Sequence, residues 1–175
     1  LCSFNMAGQI YRMQAKDDKA LGAFEELIKL SETFAGKDPN QPTGTAVLKL
    51  AATAGFSKAE IYRYNQNYDS EIAEYKRIIE LVKKPSDYVP AALDRMSQAY
   101  LIEGKIEGYN QTAIKLITKY PDYYRTPLVK LEAEAVKILR QKDASIEFEK
   151  AGLDAPARLI ALVKDSSDEQ FKEKT

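Results

Sequence analysis

The chain has 175 residues, 45% of them hydrophobic and 30% charged, which is enough for a sizeable core and too apolar for a disordered polypeptide. Its 26 lysines and arginines balance its 26 aspartates and glutamates, so there is no net field to gather nucleic acid or anionic lipid nonspecifically. With no histidine and a single cysteine, Cys2, it lacks the commonest metal ligand and neutral-pH base and has no internal disulfide or thiolate cluster.

Four apolar positions at i, i+3, i+4 and i+7, namely Phe4, Ala7, Gly8 and Tyr11, predict a first helix. The polar break "QAKDDKA" (14–20) ends it, and Ala20, Phe24, Leu27 and Ile28 predict a second helix with Asp17 near its N-terminus. One helix through the break would have to carry its apolar stripe across charged residues, so the two are read as an antiparallel hairpin. "AGKDPNQPTG" (35–44), with two prolines and two glycines, predicts a loop, and "TAVLKLAATA" (45–54) an additional helical stretch. A second hairpin follows, with Ala59 and Tyr62 on its first helix and Ile72, Tyr75, Ile79 and Val82 on its second. "KKPSDYVP" (83–90) separates it from a third, which carries Leu93, Met96, Ser97 and Tyr100, then Ile106, Tyr109, Ala113, Leu116 and Tyr120. "KYPDYYRTP" (119–127) closes that hairpin. Helices are then expected at "LVKLEAEAVKILRQ", "DASIEFEKAG" and "APARLIALVKD", where Ala144 and Phe148 copy the spacing of Ala20 and Phe24; residues 166–175 form a frayed tail.

The hairpins repeat one another. Phe24, Tyr75 and Ala113 each lie 13 residues after Tyr11, Tyr62 and Tyr100, and the small residues Gly8, Ala59 and Ser97 lie three before. Gly8, Tyr11, Ala20 and Phe24, then Ala59, Tyr62, Tyr68 and Tyr75, then Ser97, Tyr100, Gly104 and Pro121 resemble the tetratricopeptide repeat family. Tyr109 stands where that family prefers Ala, Ala113 where it prefers an aromatic, Lys58 interrupts an apolar stripe, and Pro85 is a few residues out of place. The resemblance implies an all-α fold: a right-handed superhelix of antiparallel helix hairpins over residues 1–165, with three recognisable repeats and a degenerate C-terminal capping hairpin. An irregular helical bundle is the alternative architecture.

The resemblance also implies a non-enzymatic interaction module. In the family, the first helix of each unit lines a concave groove that holds an extended peptide or a partner helix. Here that face carries Asn5, Gln9 and Arg12, then Glu60, Arg63 and Tyr64, then Asp94, Arg95 and Gln98, side chains suited to peptide backbone and carboxylates. Of the family's carboxylate-clamp positions, here Asn5, Gln9, Ser57, Ala91 and Arg95, only Arg95 matches, which argues against a receptor for chaperone tails.

The chain has no phosphate loop, dinucleotide fingerprint or metal motif, and its acidic pairs sit at non-convergent helical spacings, so no catalytic residue, cofactor or metal is expected. Lys76, Arg77, Lys83 and Lys84 are offset by Glu71, Glu74 and Glu80, which argues against nucleic acid as a partner. "NQT" (110–112) matches a glycosylation sequon inside a predicted helix and is read as chance. Tyr120, Tyr123 and Tyr124 cluster at a helix end and are expected to pack between units. The second functional reading is an assembly scaffold, since "LITKYPDYY" is similar to repeats of envelope-associated bacterial members. No apolar run approaches the ~20 residues of a membrane span, and no signal peptide is evident. "LCS" places Cys2 as in a lipoprotein site, but Leu1 stands where such sites carry a small residue, so a fragment boundary is preferred over a lipid anchor. Periplasm, cell envelope and cytoplasm all stay open.

Overall fold

Seven α-helices and no strand occupy the residues that the computed structural model describes, 1–35, 42–82 and 87–142. They are α1 (Cys2–Met13), α2 (Asp17–Ala35), α3 (Pro42–Tyr64), α4 (Tyr68–Leu81), α5 (Tyr88–Ile102), α6 (Ile106–Lys119) and α7 (Thr126–Lys142). The helices expected at "DASIEFEKAG" and "APARLIALVKD", the capping pair Ala144 and Phe148, the tail 166–175 and Pro85 lie outside the described residues.

The tyrosine repeat is written into the backbone. Tyr11, Tyr62 and Tyr100 carbonyls accept from the N–H of Lys16, Asn67 and Lys105 at 2.9, 2.8 and 2.9 Å. One residue further on, the carbonyls of Arg12, Arg63 and Leu101 accept from Ala15, Gln66 and Gly104 at 3.0, 3.0 and 3.1 Å. This double closure is the Schellman motif, and it requires a left-handed residue after the helix. Ala15 (φ 54°), Gln66 (φ 57°) and Gly104 (φ 71°) supply it, so α1, α3 and α5 end in one geometry. Only the third turn uses the residue that bears this conformation without strain. Ala15→Gly and Gln66→Gly are therefore each expected to stabilise the chain by about 1 kcal/mol, read as a higher thermal midpoint; a lower midpoint would contradict the strain argument.

Nine and thirteen residues after each anchor tyrosine, the second helices put one fully buried layer into the core: Ala20 and Phe24, Glu71 and Tyr75, Tyr109 and Ala113, all 0% exposed. In the third hairpin the large and small members exchange places and the volume of the layer is kept, which accounts for the inverted Tyr109 and Ala113. The anchor tyrosines themselves are half-buried. Phe4, at the start of the first stripe, is 37% exposed and only rims the core.

The helical stretch expected at "TAVLKLAATA" is the N-terminal part of the 23-residue α3. Ala51, Ala52, Ala54 and Ala59 continue a single buried face through it, and Gly55 stays helical where an added methyl would come within 2.8 Å of Ile78. The loop expected over 35–44 is corrected at both ends, because Ala35 closes α2 and Pro42–Gly44 open α3; residues 36–41 lie outside the described residues. Proline is tolerated at a helix start because its missing N–H would have had no intrahelical acceptor there. Tyr88–Pro90 open α5 on the same principle.

The chain divides into two compact units, Leu1–Ala92 and Leu93–Thr175. In the first, consecutive helices pack in order, α1 on α2, α2 on α3 and α3 on α4. Ala20, Phe24, Leu27, Ile28, Ala51, Ala54 and Ile61 form one cluster of its core. α1 approaches α2 at Gly8, where a methyl would come within 2.5 Å of the Phe24 ring. In the second unit α6 packs on α7, and Gly108 of α6 meets the Tyr100 ring of α5, with 2.7 Å left for a methyl. Among the described residues no helix is long and apolar enough to cross a membrane.

Candidate functional site

In the first unit α1 and α3 run side by side and parallel. Gln9 Nε2 donates to Ser57 Oγ at 3.1 Å, and Arg12 pairs with Glu60 at 2.8 Å. Beside them Asn65 Nδ2 donates to Asp17 at 2.8 Å. Each pair is 48 residues apart, so the register is constant along the ladder. The Arg12–Glu60 rung is open to solvent, with side chains 39% and 34% exposed. Tyr64, at the end of α3, is 85% exposed. Asn5 is half-buried, and its buried Oδ1 finds no donor among the described residues. Arg63 turns inward instead, its Nε 2.7 Å from Glu71 Oε1, which ties the end of α3 to the start of α4 over a carboxylate with no exposure.

The remaining three predicted site residues lie on α5 in the second unit. Asp94 is 3% exposed, 2.8 Å from Arg125 Nε, and accepts from Gln98 Nε2 at 3.2 Å. Arg95 and Gln98 are half-buried. The nine residues thus comprise an exposed or half-exposed set on α1 and α3, namely Asn5, Gln9, Arg12, Glu60 and Tyr64, the half-buried Arg95 and Gln98 on α5, and inward-facing members, Arg63 and Asp94, that bind the elements of their own unit together. Of the tyrosine cluster, Tyr124 is 80% exposed and its ring lies 4.7 Å from that of half-buried Tyr123.

Beneath the α1/α3 face lies a charge network. Lys58, 5% exposed on α3, reaches Glu25 of α2 at 2.6 Å and Glu74 of α4 at 2.5 Å. Arg77 of α4 adds contacts to Glu25 at 2.9 Å and Glu32 at 3.2 Å. Burial alone would raise the Glu25 carboxyl, but its hydrogen bonds from Lys58 and Arg77 outweigh that and hold it below the usual range. Burial likewise works to lower Lys58 and Arg77, and their carboxylate partners hold both above their ordinary values. Lys58 therefore does not break the apolar stripe: it is the cation on α3 that lets α2 and α4 carry carboxylates up to it. The signal was a lone lysine among apolar positions, with glutamates at the matching depth of both neighbouring helices.

Among the described residues no group of three or more histidine, cysteine, aspartate or glutamate side chains is arranged to hold a metal ion. Comparison with protein families, with curated proteins and with solved structures returns no match to this chain.

Proposed function

We propose that this chain is a non-enzymatic protein-interaction module, a tetratricopeptide-like right-handed solenoid of helix hairpins that holds a peptide or partner protein on the concave face of its first helices. The observation that carries the reading is the α1/α3 ladder. Two first helices lie parallel in a constant register, and the face they share presents amide, guanidinium, carboxylate and phenol groups to solvent. The three identical Schellman turns support a repeat rather than an irregular bundle. A polar ladder with a solvent-exposed tyrosine at its end suits an extended peptide, whose backbone needs donors and acceptors and whose side chains pack on an aromatic ring.

The test is selection of binders from a displayed random-peptide library, followed by affinity measurement with variants. Tyr64→Ala and Arg12→Glu change only side chains on this face, so far-UV circular dichroism should stay as it is while affinity for selected peptides falls about tenfold or more. Selected peptides that bind both variants as tightly as the parent chain would remove the α1/α3 face from the proposal.

One observation favours the second reading, an assembly scaffold. One residue round α1 from the polar stripe, Met6, Ile10 and Met13 are 64%, 48% and 88% exposed at i, i+4 and i+7. Such a continuous apolar strip suits a broad folded partner better than a short peptide. Failure of the library to yield any binder, with a large folded partner retained by the Tyr64→Ala and Arg12→Glu variants, would favour it.

A further inference from the structure

The second unit holds a polar cluster that the α1/α3 face does not involve. Glu132 of α7 is 1% exposed, and among the described residues nothing donates a hydrogen bond to either of its oxygens. Arg125 Nη2 lies 3.9 Å from it, and Arg125 already sits 2.8 Å from Asp94 through Nε. Tyr109 of α6 is 0% exposed and its hydroxyl likewise has no hydrogen-bond partner among the described residues. A buried carboxylate without donors is costly when ionised and tolerable when neutral. Asp94 differs in one respect: it accepts a hydrogen bond from Gln98 Nε2 at 3.2 Å, while its contact with Arg125 Nε is an ion pair without a hydrogen bond, so it can release the guanidinium and stay hydrogen-bonded.

We propose that the turn joining α6 to α7 is a proton-controlled latch: while Glu132 is neutral Arg125 is committed to Asp94, and ionisation of Glu132 draws the guanidinium toward α7 and loosens the turn. The groups facing Glu132 fit this behaviour. Burial pushes its carboxyl up to about 7; Arg125 pulls it down only in part, and Asp94 of α5 adds to the rise. Tyr109 of α6 is raised by burial and then by the charges of Glu132 and Asp94. Tyr123 in the turn is raised by burial and by its hydrogen bond with Tyr124, so these two phenols stay neutral near neutrality. The turn that would loosen is defined by two backbone bonds, Tyr123 N–H to Tyr120 O at 3.1 Å and Thr126 N–H to Tyr123 O at 2.8 Å.

The sign is fixed by linkage. The closed turn holds the Glu132 proton more tightly than an opened one, so opening becomes easier as pH rises from the ordinary glutamate value toward 7 and no easier beyond it. In hydrogen exchange on the full chain, corrected for intrinsic rates, protection of the Tyr123 and Thr126 amides is expected to fall about tenfold per pH unit between about 5 and 7, then level off. The Ala15 and Lys16 amides, in the α1–α2 turn of the first unit, should show no such slope. Glu132→Gln, which keeps a neutral side chain at every pH, should make the α6–α7 turn pH-independent. A flat wild-type profile, or an unchanged slope in Glu132→Gln, overturns the latch. Should that variant not fold, the carbon-13 shift of the Glu132 carboxyl in the wild-type chain decides: a midpoint near 7 that coincides with the exchange profile supports the latch, and one near the ordinary glutamate value refutes it.

Discussion

Lys58→Met is expected to destabilise the chain by about 3–5 kcal/mol at pH 7, the scale for removing one partner of a buried ion pair. The loss is large because a single ammonium serves two carboxylates, Glu25 at 2.6 Å and Glu74 at 2.5 Å, and methionine removes the cation from both, leaving the near-buried Glu74 in a low-dielectric surrounding. Glu25 keeps Arg77 at 2.9 Å, so the heavier burden falls on Glu74, whose side chain is 11% exposed. Lys58→Met/Glu74→Gln should therefore recover a substantial part of the loss, and the two changes should be clearly non-additive. Denaturant unfolding followed by far-UV circular dichroism measures all three chains. A single-variant loss below about 1 kcal/mol, the scale of an exposed ion pair, would mean that the network is solvated and does not organise the helices. The pH dependence gives an internal check. In the parent chain Glu25 has a depressed carboxyl, so its contribution is present above the ordinary glutamate range and is lost as pH falls through its folded value. In Lys58→Met the abandoned carboxylates are relieved by protonation, so the deficit relative to the parent should shrink in acid.

Phe24→Ala is the second large effect, with an expected loss of about 3–5 kcal/mol. Phe24 is 0% exposed, fills the layer under α1, and is the surface on which Gly8 lets α1 settle. Truncation removes transferred apolar area and also leaves a cavity that α1 can close only by shifting its whole length. Met13→Ala, at 88% exposure on the same hairpin, should change stability by no more than about 0.5 kcal/mol. Comparable losses at the two positions would show that the first hairpin is not organised around the Phe24 layer.

Both predictions rest on features that were legible to different degrees in the residues. Local chemistry announced the hairpins. A helix whose apolar stripe meets "QAKDDKA" or "IEGKIEG" has no way to keep that stripe buried, so the break had to be a turn, and the tyrosine spacing marked where each one falls. The position of Gly104 was visible as a turn residue. That Ala15 and Gln66 would adopt the same left-handed geometry was not, since neither side chain favours it and only the packing of the following helix imposes it. The predicted site face was legible as a stripe. Which of its members stay open was not, because exposure depends on what the neighbouring helix brings opposite: Glu60 beside Arg12, but Glu71 beneath Arg63 and Arg125 against Asp94.

By itself, then, the order of residues determined the helical class, the hairpin spacing and the polarity of the first-helix faces, because periodicity and turn chemistry act over a few residues. Tertiary structure alone decided that "TAVLKLAATA" joins α3, that Lys58 is a buried tie between two glutamates, and that Glu132 lies without a hydrogen-bond donor among the described residues, 3.9 Å from an arginine that sits closer to Asp94. Each of those outcomes depends on groups far apart along the chain, and the fate of a charge in an interior is set by the partners that packing brings to it.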